Sequence, residues 1–189
     1  VYTLGSVLLS LLLSLPLSAA TYFAAPAGTG NGSSYSSPCS LSTGISKLKN
    51  AGDTLYLLGG QYDLGNTTIS SKNGSSTAYI VISGYPGEQA ILDFRTTAYG
   101  KRGLQVESSC TYLHIKDLTL RYSGKNNLYN EGSYCLFENL DIYGSSDTGC
   151  QMKVGGYNII KNVDSHDNFD YELDKSGNLT QCDFGGNAD

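Results

Sequence analysis

Apolar residues recur along this chain in short alternating bursts, and three of the bursts align. "YLHIKDLTL" begins at Tyr112, "YCLFENLDI" at Tyr134 and "YNIIKNVDS" at Tyr157, at spacings of 22 and 23 residues. A second register agrees: "GLQV" at Gly103 and "GCQM" at Gly149 stand 46 residues apart, two such periods. Self-similarity at this period is the mark of a solenoid, in which each repeat packs only on its neighbours. Within the first burst Leu113 and Ile115 alternate, Asp117 breaks the strand, and Leu118 and Leu120 alternate again. The next coil offers Cys135, Phe137, Asn139, Leu140 and Ile142, and the third Asn158, Ile160, Asn162, Val163 and Ser165. A period of two predicts strands with one face turned inward. The Asp117/Asn139/Asn162 step predicts a sharp bend, because these side chains tolerate left-handed backbone and bond nearby amides. Two or three short strands per coil predict an all-β, right-handed parallel β-helix with coils ~4.8 Å apart. The LxxLxLxxN pattern of leucine-rich repeats is absent.

An open solenoid end has to be covered. Leu41, Ile45 and Leu48 share one helical face, Ser40 or Ser42 can cap the start, and Gly52 can end the helix. "TLYLLGG" then reads as a first strand. No comparable cover is legible at the other end, where the coil holding Asp189 has barely begun.

Composition fits this picture. The chain has 23 Gly and 15 Tyr among 189 residues and only 15% charged residues, which suits strands joined by tight turns. A net charge of −5 argues against nucleic acid as a partner. A polyanionic substrate would need a metal ion to bridge the like charges. Residues 1–20 hold an apolar run too short for a membrane span, then Pro16, with Ser18 and Ala20 at the −3 and −1 positions of a signal-peptidase site. We therefore expect residues 1–20 to be an N-terminally incomplete signal peptide, and residues 21–189 to be the N-terminal portion of a β-helix whose C-terminal coils are missing. The expectation is a secreted, extracellular monomer. Sequons at Asn31, Asn66, Asn73 and Asn178 agree with export and are candidate glycosylation sites. Cys39, Cys110, Cys135, Cys150 and Cys182 lack zinc spacing, and some can pair.

Two stretches resemble a known family. "ATYFAAPAGTGNGSSYSSP…AGDTLYLLGGQYDL" is similar to the N-terminal module of many secreted β-helix proteins. "GSSDTGCQMKVGGYNIIKNVDSHDNFDYE…GGNAD" more specifically resembles the family-9 polysaccharide lyases, pectate lyases with a "DTGLQ" strand, a "DSHDNFD"-like turn and "NADGFA". The match departs at Cys150, where Leu is usual, and in "YELDKSGNLTQCDF". The resemblance implies cleavage of polygalacturonate by β-elimination, with Ca²⁺ offsetting the carboxylate charge and stabilising the anion formed at C5. It also implies that Asp189, the Asp of "NAD", is a calcium ligand. The other ligands and a base lysine are expected beyond the last residue, so this piece alone is expected to be inactive.

Aligning Asp189 with Thr148 sets it at a strand start one coil later. The 41-residue gap predicts an inserted loop within residues 166–187. Asp164, Asp167, Asp170, Glu172 and Asp174 form an acidic run that could hold calcium but reads more simply as a solvated loop. His114 should point outward, His166 should sit at a turn, and neither is expected in catalysis. Lys153 could meet an anionic sugar or be a plain surface lysine. Tyr112, Tyr134 and Tyr157, each opening a coil, read as a structural stack rather than a sugar platform. Two other functions stay open: a different β-helix polysaccharide hydrolase or lyase, and a non-catalytic surface or adhesion protein. A hydrolase would need a flanking acid pair, which is not evident.

Overall fold

A computed structural model describes residues 19–173 and 179–183, the side chains from 170 onward excepted. The first strand is β1 (Thr21–Ala24), not "TLYLLGG". Helix α1 (Leu41–Lys47) crosses over to β2 (Thr54–Leu57), which pairs parallel to β1. Ser40 caps α1 by accepting from the Thr43 N–H, and Leu41, Ile45 and Leu48 are buried. The helix ends at Lys47, earlier than the Gly52 stop expected. The Leu48 carbonyl beyond it is taken by the Nζ of Lys72, a contact from the next coil at 2.9 Å.

The coils then stack. Strands β3 (Gly60–Asp63), β4 (Thr67–Ile69), β5 (Ile80–Gly84), β6 (Ala90–Asp93) and β7 (Leu104–Val106) lead to the long β8 (Leu113–Arg121). They are followed by β9 (Leu128–Asn130), β10 (Leu136–Tyr143), β11 (Cys150–Met152) and β12 (Ile159–His166). One sheet runs β1-β2-β5-β8-β10-β12, with β3 and β6 attached beside it. A second runs β4-β7-β9-β11, and both are built from parallel pairs.

Parallel register puts like residues in line. Leu55, Ile82, Ile115, Phe137 and Ile160 occupy one inward row, and the first four are buried. Ala90, Leu118, Leu140 and Val163 form another. Each buried Leu, Ile or Phe contributes about 1.5–3 kcal/mol.

The Asx step bends the strand without breaking it. Asp117 (φ 57°), Asn139 (φ 52°) and Asn162 (φ 51°) are left-handed. Pairing continues on both sides: the first half of β8 lies on β5 and the second half on β6. The three side chains form a ladder, Asn162 donating to Asn139 at 2.7 Å and Asn139 to Asp117 at 2.9 Å. Tyr112, Tyr134 and Tyr157 are also left-handed, and their rings stack at 4.8 and 4.9 Å, which makes them the structural stack expected. The inserted stretch after His166 is in part a hairpin rather than a plain loop, β13 (Asp170–Leu173) pairing antiparallel with β14 (Leu179–Asp183).

Candidate functional site

The turns that feed the second sheet stack coil on coil. Gly103 N–H donates to the Asn126 carbonyl at 2.8 Å, and Leu128 N–H to the Gly149 carbonyl at 2.9 Å. This register lines up Lys101-Arg102, Lys125-Asn126 and Asp147-Thr148 along one edge. Amide side chains lock it. Asn127 accepts from the Ser123 N–H at 2.9 Å and donates to the Tyr143 carbonyl at 2.8 Å, and the fully buried Asn126 donates to the Thr148 carbonyl at 3.2 Å. Lys125 Nζ stands 3.7 Å from Asp147, whose other oxygen accepts from the Thr148 N–H and hydroxyl. Arg102 lays its guanidinium 3.5 Å above the centre of the Tyr129 ring.

A second row follows the last residues of β6, β8, β10 and β12: Asp93, Arg121, Tyr143, His166. The buried Asp93 carboxylate accepts from Arg95 at 2.7 and 2.8 Å and from Arg121 at 2.8 Å. Burial alone would raise its pKa, but the two guanidiniums hold it at about 2. Arg121 also donates to Gln61 at 2.6 Å and to the Tyr143 hydroxyl at 3.1 Å. His166 stacks on Tyr143 at 5.2 Å, with its nitrogens 2.9 Å from Asp167 and 3.1 Å from Asp141. Those carboxylates, Asp167 foremost, raise its pKa. An open groove of about 490 Å³ lies beside this row, lined by Asn139, Leu140, Asp141, Asn162, Val163 and Asp164.

The residues singled out in the sequence fall as follows. Asp189, Asp174 and Asn178 lie outside the described residues. Asn31, Asn66 and Asn73 are all exposed. His114 faces out of the core toward Glu138 at 3.0 Å; burial lowers its pKa despite that partner. His166 ends β12 instead of sitting in a turn, and Lys153 is exposed just after β11. Asp164 belongs to β12 and Asp170 and Glu172 to β13, so the acidic run is divided between a strand and a hairpin. Cys39, Cys110, Cys135 and Cys150 are free thiols. Among the described residues, no group of three or more His, Cys, Asp or Glu side chains could hold a metal ion. These residues therefore do not by themselves fit a calcium centre. The sequence reading passed over Lys101, Arg102 and Lys125. Aligning Lys101-Arg102-Gly103 with Asp147-Thr148-Gly149 through the repeat would have found the first two.

The model of the Pel9A-like right-handed β-helix region matches residues 22–189. The chain belongs to the Pel9A-like family. Its β-helix is therefore of the right-handed, family-9 pectate-lyase-like kind. Among Pel9A-like relatives, pectate lyase L of Paenibacillus polymyxa (strain SC2) is 33% identical over 135 residues, which are 63% of this chain and 29% of that protein. Pectate lyase L of Dickeya dadantii (strain 3937) is 29% identical over 162 residues, 79% of this chain and 37% of that one. The crystal structure of pectate lyase Pel9A superposes with a TM-score of 0.71 at 29% identity, over 82% of this chain and 42% of its own. An alginate lyase from Paenibacillus sp. str. FPU-7, at TM-score 0.56 and 22% identity, shares the fold. The chain thus spans well under half the length of these relatives.

Proposed function

We propose that this chain is part of a secreted pectate lyase that cleaves polygalacturonate by calcium-assisted β-elimination. The observation that carries the reading is the Pel9A-like match across residues 22–189, supported by two relatives named as pectate lyases. In such a reaction a base removes the C5 proton, which is weakly acidic because the neighbouring carboxylate is already negative, and the C4 oxygen leaves. Calcium, when bound, would offset that charge. Six to eight oxygen ligands are needed to hold it. Asp189 is proposed as one ligand; the described residues supply no set to complete it.

The chain's own contribution is a rigid frame. The amide-locked turns at Asn126 and Asn127 fix the edge that we propose leads to Asp189. N-glycans are proposed at the exposed Asn31, Asn66 and Asn73, and at Asn178.

The test is to express the longest open reading frame containing this chain and follow absorbance of unsaturated products from polygalacturonate, with Ca²⁺ and then with chelator. Calcium-dependent absorbance lost in Asp189→Ala is the expected result. A folded protein that releases no unsaturated product under either condition would refute the reading.

A further inference from the structure

We infer that Arg102 forms a subsite for a uronate carboxylate on the outer face of the β4-β7-β9-β11 sheet. The inference rests on the lyase reading and names one place where its acidic substrate is gripped. Tyr129, only 3% exposed, lies under the guanidinium, and its hydroxyl is 3.4 Å from Glu131. A planar guanidinium stacked on a fixed ring has already lost much of its freedom, so less is lost when it takes a partner. Its Nε is buried without a partner, and Arg102 has no ion pair among the described residues.

This sets Arg102 apart from the chain's other two arginines. Arg95 and Arg121 are both spent on the buried Asp93. An arginine held flat, with no carboxylate of its own, presents a fork that matches a carboxylate edge. Its surroundings favour an anion: exposed Lys101 precedes it, and Lys125 in the next coil is only loosely held by Asp147 at 3.7 Å. Lys101, Arg102 and Lys125 thus stand together beside the two carboxylates of Asp147 and Glu131, a local excess of positive charge in a chain whose net charge is −5. The row Arg102, Asn126, Thr148 advances one coil per step along the axis. A uronate chain laid parallel to the axis would cross Arg102, Asn126 and Thr148 in turn.

The test uses the full-length protein containing this chain, with polygalacturonate as substrate and tetragalacturonate or its methyl ester as probe. Arg102→Met keeps an apolar stem over Tyr129 and removes the fork; Arg102→Lys keeps charge alone. The expected result for Arg102→Met is a KM raised about tenfold or more at unchanged kcat, with Arg102→Lys recovering only part, as for loss of a charged hydrogen bond. An unchanged KM in folded Arg102→Met overturns the subsite and leaves the lyase reading standing. Should the variants fail to fold, phenylglyoxal labelling of wild type decides. Protection of Arg102 by tetragalacturonate but not by its methyl ester supports the subsite, and equal labelling overturns it. A wild type that neither cleaves nor binds tetragalacturonate removes both.

Discussion

Each of β8, β10 and β12 bends at one left-handed Asx residue. Asp117, Asn139 and Asn162 sit at φ near +50°, where a side chain beyond Asn, Asp or Gly is strained. The amide of Asn139 does two jobs there. It donates to Asp117 and accepts from Asn162, so each bend is tied to the next. Replacing it separates strain from bonding. Asn139→Val adds a β-branched clash and removes both bonds, and should cost about 2–3 kcal/mol. Asn139→Gly removes the bonds but accepts the backbone, and should cost about 1 kcal/mol. Urea unfolding of both variants measures the difference. Equal losses would mean that the ladder, not the backbone angle, sets the bend. This step was legible in the sequence, because an Asx residue interrupting period-two alternation has a local cause. The left-handed tyrosines were legible only as a repeated position. Their angles depend on ring stacking between coils, which no single coil encodes.

Strands β3, β6, β8 and β10 are joined by a buried charge. Asp93 ends β6, Arg121 ends β8, and through Arg121 the network reaches Gln61 on β3 and Tyr143 on β10. A buried carboxylate with two guanidinium partners stabilises the fold only while it is ionised. Its folded pKa of about 2 lies below the value of about 3.9 for an unfolded aspartate. The lowered folded value means that the stabilisation is present above about pH 4 and lost as pH falls toward 2. The stability difference between wild type and Asp93→Asn should therefore be large at pH 6 and shrink between pH 4 and 2.5, read from urea midpoints. A difference constant with pH would show that packing, not charge, is what Asp93 supplies. Here the sequence was silent: "LDFRTT" and "LTLRYS" carry no hint that an arginine 28 residues on completes the site. The stop of α1 was missed for the same reason, since the Lys72 contact to Leu48 comes from the next coil. Contacts within a coil leave a periodic trace; contacts between coils of different shape do not.

At the scale of the whole molecule, the solenoid was readable because every coil obeys one rule, and the candidate site was not, because sites depart from the rule. Arg102 stands where the equivalent position two coils later holds Thr148, and only the stacked structure shows that its fork is unpaired. The same repeat logic fixes how the last described coil behaves. Ile160 belongs to the inward row of Leu55, Ile82, Ile115 and Phe137, yet it is 52% exposed. Val154, Tyr157 and Ile159 beside it are also exposed, and among the described residues no further strand of this sheet pairs with β12. An unpaired strand edge next to apolar side chains is a template for association. The 189-residue chain studied by itself should therefore self-associate at concentrations on the order of 10–100 μM. Sedimentation velocity across that range measures it. Ile160→Lys places a charge on the inward row of the edge, the device by which natural sheets resist edge pairing. It should return the chain to a monomer while leaving the Tyr112/Tyr134 stack and its near-ultraviolet signal intact. A wild-type chain that is monomeric throughout would show that another part of the molecule already covers this edge. An Ile160→Lys chain that still associates would move the contact away from β12.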